Sequence, residues 1–329
     1  MFLFRSDLKK EVVKFPCRLT DHLESYVSRL LEEAGIPSFI WGEAYLGYLG
    51  STTALFFSGW VIPDQHIDKA AEVLTKAGFP PCTQGRSKCA HYCEARLRPI
   101  PDYDFHTDHK YPPVNKIPSA GVCLFRKSRV FWTFPDPTLG PPPKDDPYYR
   151  LTTDPRVKQP TDYRSSLPPP NPSLYPVKMA VVARYFEAIV LLNMRDFHQD
   201  DAQTNWEVQL LYLFGSEHIW GLNLKLEDIR EPFREYAKRR HEPLTPANKD
   251  YSGTRYLFAL ALLMRRRNLL PTPEGKISQL ETLAQCAERL NVKIKQSDLE
   301  YERLDKFPRS PAALSFESVN SEEAKAMLL

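Results

Sequence analysis

FIWGEAYLGYLGSTTALFFSGWVIPD, residues Phe39 to Asp64, opens with an apolar run of strand length (Phe39, Ile40, Trp41) closed by Gly42. A segment of helix length follows, with Ala44, Tyr45, Leu46, Tyr48 and Leu49 as its apolar residues, and Gly50 and Ser51 break it. Ala54 to Ile62 is a second strand-like run, ended by Pro63. The pattern predicts strand, tight glycine turn, helix, strand. WVIPDQHIDKAAEVLTKAGFP then reads as a strand end, a Pro-Asp turn and an amphipathic helix ended by Gly78.

This layout resembles the nucleotidyltransferase superfamily, in the minimal form found in antitoxin-type enzymes and in fungal nucleotidyltransferase-like proteins. The resemblance spans roughly residues 20 to 110. It implies a glycine turn whose backbone N–H groups meet a phosphate at a helix start. It also implies two carboxylates two residues apart on the second strand, on one face, holding a divalent cation. Here Glu43 stands at the second turn position, and Phe57 and Gly59 stand where the carboxylates would be. A phenyl ring and a hydrogen offer magnesium no oxygen. The expectation is therefore a retained scaffold without its metal chemistry. The fold class expected is α+β: a small mixed sheet of nucleotidyltransferase-like type with flanking helices, a long proline-rich wrapping coil and a C-terminal helical lobe. The division expected is 1–176 for the α/β part with its wrap and 177–329 for the helical lobe.

The 329 residues can bury a large core. A net charge of +3, from 44 basic and 41 acidic residues, gives no reason to expect a nucleic acid or an anionic surface as partner. MFLFRSDLKKEVV does not read as a secretory leader, and no run approaches the ~20 apolar residues of a membrane span. The expectation is a cytoplasmic protein with no membrane span. The six cysteines read as free thiols. Three of them, Cys82, Cys89 and Cys93, fall in CTQGRSKCAHYC with His106 and His109 downstream. Their C-x6-C-x3-C spacing is not that of common zinc pairs, so no metal and no cofactor is expected, with structural zinc as the alternative.

Thirty prolines concentrate between Pro99 and Pro176, which predicts irregular backbone. The stretch is rich in aromatic residues, which predicts an ordered coil over the N-terminal half with one or two strands. SRVFWTF (128–134) and GVCLF (121–125) read as a strand pair joined by the turn RKS. Val181 to Leu192, Trp206 to Phe214, Leu226 to Arg240, Tyr256 to Arg267 and Ile277 to Leu290 have helical spacing. Arg265, Arg266 and Arg267 read as a solvated helix end, where positive charge suits the dipole.

A cleft inherited from such a fold would be walled by Trp41, Gly42, Tyr45, Phe57, Trp60 and Trp132. With no cation ligands it would suit an apolar guest, which gains about 25 cal/mol per Å² buried. Glu43 at the helix start and Asp104 with His106 are the candidate catalytic groups, since alternation puts Asp102, Asp104 and His106 on one strand face. The bland reading of PDYDFHTDH (101–109) is a polar loop, and Glu217–His218 reads as a helix-end cap. The function expected is a cofactor-independent enzyme acting on a hydrophobic small-molecule substrate. It would be a cyclase, isomerase or lyase, for example catalysing an intramolecular Diels–Alder cycloaddition in specialised metabolism. One alternative is an active magnesium-dependent nucleotidyltransferase using Asp102 and Asp104. Another is a non-catalytic binding protein in which Phe57 and Trp60 fill the old cavity.

Overall fold

Thr20 starts the first helix: its hydroxyl accepts from the Leu23 N–H, and α1 runs over Asp21–Glu33. Leu23, Val27 and Leu31, four residues apart, are its buried stripe. Gly35, at φ +71°, ends it in the left-handed conformation, and the Ile36 N–H reaches back to the Leu31 carbonyl. The computed structural model describes residues 13–15, 17, 20–52, 57–85, 89, 99–106, 121–158, 169–197, 200–216, 219–241, 252–273, 280–302 and 319–328.

The quoted stretch forms β1 (Phe39–Trp41), α2 (Glu43–Tyr48) and β2 (Phe57–Ile62), as its pattern predicts. Gly42 sits between β1 and α2 at φ +73°, ψ −141°, a region closed to side-chain-bearing residues. After Pro63 comes α3 (Ile67–Lys76), which buries Ile67, Ala70, Ala71 and Leu74. Further strands are β3 (Tyr103–Phe105), β4 (Gly121–Arg126), β5 (Tyr149–Leu151) and β6 (Lys178–Ala180). The result is an α+β protein with a mixed six-stranded open sheet in the order β3-β4-β2-β1-β6-β5. β1 runs antiparallel to β2 and parallel to β6, and β2 runs parallel to β4. β3 and β5 are antiparallel edges. Among its described residues the proline-rich stretch from Pro99 to Pro176 thus supplies three strands, not one or two, and two of them are the edges, where a missing donor costs least.

SRVFWTF is not a strand. Lys127–Val130 forms α4, whose start is held by Asp64: its carboxylate accepts from the Ser128 N–H at 3.0 Å and the Ser128 hydroxyl at 2.5 Å. Phe131 and Phe134, three apart, both turn inward onto Phe39, with ring centroids at 5.0 and 6.2 Å. That is a turn's spacing, not a strand's period of two. GVCLF does form β4, but it pairs with β2 and β3.

The chain divides into two compact units. One holds the sheet and comprises Met1–Glu94, Ile100–Arg184 and Gly215–Asn223. The other comprises Ala95–Pro99, Tyr185–Phe214 and Leu224–Leu329. The helices after the sheet are α5 (Val182–Arg195), α6 (Asp200–Gly215), α7 (Phe233–His241), α8 (Ser252–Arg266), α9 (Leu283–Arg289) and α10 (Ser321–Ala326). The helix expected over Leu226–Arg240 is a 3-10 turn at Leu226–Asp228 followed by α7, because Pro232 has no N–H to continue a helix. The part of the Ile277–Leu290 helix before residue 280 lies outside the described residues. The arginine run is not a solvated helix end. The Arg265 side chain is buried and donates to the carbonyls of Met194, Arg195 and Phe197 at 3.0–3.4 Å. Arg266 pairs with Asp298 and Arg267 with Glu323, each at 2.5 Å. Among the described residues, no helix is long and apolar enough to cross a membrane.

Candidate functional site

The strand registers align a row of residues across the sheet. Trp41 is opposite Gly59, Gly59 opposite Cys123, and Cys123 opposite Asp104. Directly paired residues share a face, so these four positions lie side by side. Phe57 shares that face two residues before Gly59, and His106 lies two residues beyond Asp104.

The indole of Trp41 occupies the space above Gly59. A β-carbon built on Gly59 would lie 2.8 Å from Trp41 Nε1, 2.9 Å from Cδ1 and 3.0 Å from the Trp41 carbonyl oxygen. The ring is held edge-on by Phe125 and Phe131, with centroids 4.9 and 5.9 Å away. Phe57 leans beside the Gly42 turn and is buried. The magnesium implied by the family resemblance does not fit this face. At the two positions where the resemblance puts its carboxylates, Phe57 and Gly59, a phenyl ring and the Trp41 indole stand in place of hard oxygen ligands, and the carboxylate in the row, Asp104, sits against the Cys123 and Cys89 thiols.

The predicted wall residues do not form one cleft. Phe57 and Trp60 are an odd number of residues apart on β2, so they point to opposite faces. The Trp60 N–H donates to the Ser58 hydroxyl at 2.8 Å. Tyr45 is buried in α2 and donates to the Ala180 carbonyl at 3.2 Å. Trp132 is half-buried in the turn after α4. These aromatics are core and turn residues, and Phe57 and Trp60 do not fill one cavity together.

Of the polar candidates, Asp104 and His106 come together, while Glu43 starts α2. Burial, then the Asp104 carboxylate, and more weakly Glu43, hold the Cys123 thiol well above the usual cysteine range. Its S–H donates to Asp104 Oδ1 at 3.3 Å. Asp102 goes elsewhere. Its carboxylate takes the Arg129 guanidinium at 2.8 Å, the Arg126 guanidinium at 3.3 Å and the Arg126 N–H at 2.8 Å. Asp102 is thus engaged by two arginines, and Asp104 by a thiol.

Asp104 belongs instead to a second group. Pro81 bridges Phe105, the Cys82 N–H donates to the Asp104 carbonyl at 2.8 Å, and the His106 N–H donates to the Pro80 carbonyl at 3.1 Å. This lays Pro80–Cys82 along the free side of β3. Cys89 follows the left-handed Gly85, whose carbonyl accepts its N–H at 3.1 Å. One ligand-type atom from each of Cys82, Cys89, Asp104 and His106 then lies within 4.8 Å of every other. Cys89 Sγ is 3.1 Å from His106 Nε2 and 4.0 Å from Asp104 Oδ2, and Asp104 Oδ2 is 3.7 Å from the same Nε2. A nucleophile–base–carboxylate relay places its sulfur and carboxylate on opposite ring nitrogens. Here both approach one nitrogen, so the three groups share a point instead of forming a chain.

Reading the sequence for C-x2–4-C pairs missed the union of Cys82 with Asp104. The available signal was the extended Pro-Pro-Cys after the α3 stop, next to the period-two Asp104 and His106. Cys93, Asp108, His109, Glu217 and His218 lie outside the described residues. Compared with protein-family models, with curated proteins and with solved structures, the chain matches none, so its site is read from its own geometry.

Proposed function

We propose that the chain is a nucleotidyltransferase-like scaffold that no longer transfers nucleotides and acts as a non-catalytic binding protein. The reading rests on the resemblance of residues 20 to 110 and on the order α1, β1, glycine turn, α2, β2, α3. The observation that carries it is Trp41 packed onto Gly59, on the face where a catalytic relative would hold its cation. Phe57 beside Gly42 adds to it, since a triphosphate set against phenyl and indole rings would be poorly solvated. In this reading the described parts of the proline-rich stretch add β4, the two edge strands and turns to the scaffold. The cyclase reading would need Phe57 and Trp60 in one cavity, and β2 separates them.

Thermal unfolding with ATP or CTP, with and without magnesium, tests this. A nucleotide site filled at one hundred times its Kd would add about 2.7 kcal/mol of stability. The expected result is an unchanged midpoint with either nucleotide. A magnesium-dependent rise would overturn the reading.

A further inference from the structure

We propose that Cys82, Cys89, Asp104 and His106 form a binding site for a borderline-soft divalent cation, zinc being the one whose ligand preferences the set matches. Two sulfurs, an imidazole and a carboxylate are all zinc donors. Tetrahedral zinc, with sulfur at about 2.3 Å and nitrogen or oxygen at about 2.0–2.2 Å, sets its ligands about 3.3–3.8 Å apart. The separations of 3.1, 3.7 and 4.0 Å among Cys89, His106 and Asp104 straddle that range. Cys82 completes four, within the same 4.8 Å sphere.

The donors come from three backbone segments that meet by pairing. Asp104 on β3 and His106 just past its end lie two residues apart along extended backbone, which puts both on one face. Cys82 is placed opposite Asp104 by the Pro81–Phe105 bridge. Cys89, which follows the left-handed turn at Gly85, closes the set. Asp104 is also oriented for ligation: Oδ2 faces the cluster while Oδ1 accepts the Cys123 S–H at 3.3 Å. A ligating carboxylate is typically steadied in this way through its other oxygen.

Burial favours a closed, structural site. Cys89, Asp104 and His106 are at most 3% exposed, and half-buried Cys82 marks the way in. Four protein ligands leave no open position for substrate. Binding releases the two thiol protons, and the dication offsets the cost of burying the carboxylate. The metal ties Cys89 and the Pro80–Cys82 strand-like segment to the outer side of β3, where the sheet would otherwise present an open edge.

The full chain, purified without chelator, is analysed for metal content, then stripped and reloaded with cobalt(II) alone. The expected results are about one zinc per chain and, with cobalt, a thiolate-to-metal charge-transfer band with tetrahedral visible bands. The charge-transfer band should fall to about half in Cys82→Ser, which loses one of two sulfurs, and stay whole in Cys286→Ser, a buried cysteine outside the cluster. Absence of zinc together with cobalt uptake lacking the thiolate band would overturn the site, as would an undiminished band in Cys82→Ser. If Cys82→Ser does not fold, the zinc content and cobalt spectrum of the unaltered chain decide. The nucleotide experiment above reads the Gly42 turn and β2, not the four-donor cluster beside β3, so either proposal can fail alone.

Discussion

Gly59→Ala lowers the stability of the chain by about 3 kcal/mol, the upper part of the usual range for overpacking, and urea unfolding reads it as a fall in the midpoint. The added methyl would meet Trp41 Nε1 at 2.8 Å, Cδ1 at 2.9 Å and the Trp41 carbonyl oxygen at 3.0 Å. The indole cannot swing aside, because Phe125 and Phe131 flank it edge-on. The carbonyl is part of β1, which pairs with β2 at this position. Relief would therefore require the two strands to part or the tryptophan to abandon its rotamer. Gly215→Ala is the matched control: nothing lies within 4 Å of its added carbon, and its change should stay within about 0.5 kcal/mol. A Gly59→Ala chain as stable as its parent would mean that Trp41 does not sit on Gly59.

Asp196→Ala costs about 3–5 kcal/mol, the range for removing one partner of a buried ion pair. The Asp196 and Arg195 side chains are fully buried and meet at 2.6 Å. The Trp206 N–H donates to the same carboxylate oxygen at 2.8 Å. Truncation strands a guanidinium charge and a tryptophan donor in the interior. Asp196→Asn keeps an acceptor for Trp206 but loses the charge, so it should fall between the parent and Asp196→Ala. Urea unfolding of the three chains gives the order directly. A loss below about 1 kcal/mol for Asp196→Ala would place this pair among the weak, solvated ones.

Local pattern carried the part of the fold built from local contacts. The short apolar run Phe39–Trp41, the strand-like run ending at Ile62, each closed by glycine or proline, and the helical spacing in α3 and α5 follow from backbone geometry that a short window contains. Trp60 was misplaced because a wall of aromatics was assembled by residue type, ignoring the alternation that sets it opposite Phe57. SRVFWTF misled for a related reason. β-branched and aromatic residues favour strands, yet Asp64, distant in sequence, holds Ser128 and starts a helical turn. A dipole argument is blind to the partners of the arginine run at 265–267, since its acceptors at and just beyond the end of α5, Asp298 and Glu323 are all non-local.

The candidate site was half legible. Asp104 and His106 share a face by spacing alone. Cys82 and Cys89 join them only because Pro80–Cys82 lies beside β3, a pairing that no spacing rule announces. What the chemistry can be turned on that pairing. The expected proton-transfer pair is embedded in a four-donor cluster, and the Asp102 that completed the expected carboxylate pair is engaged by Arg126 and Arg129.

A crystal of the full chain soaked in magnesium and a non-hydrolysable nucleoside triphosphate tests the closed face most directly. The account predicts the Trp41 indole lying on Gly59 with no nucleotide or cation density beside β2. Magnesium seated against Asp102 or Asp104, with phosphate at the Gly42 turn and Trp41 displaced, would contradict it.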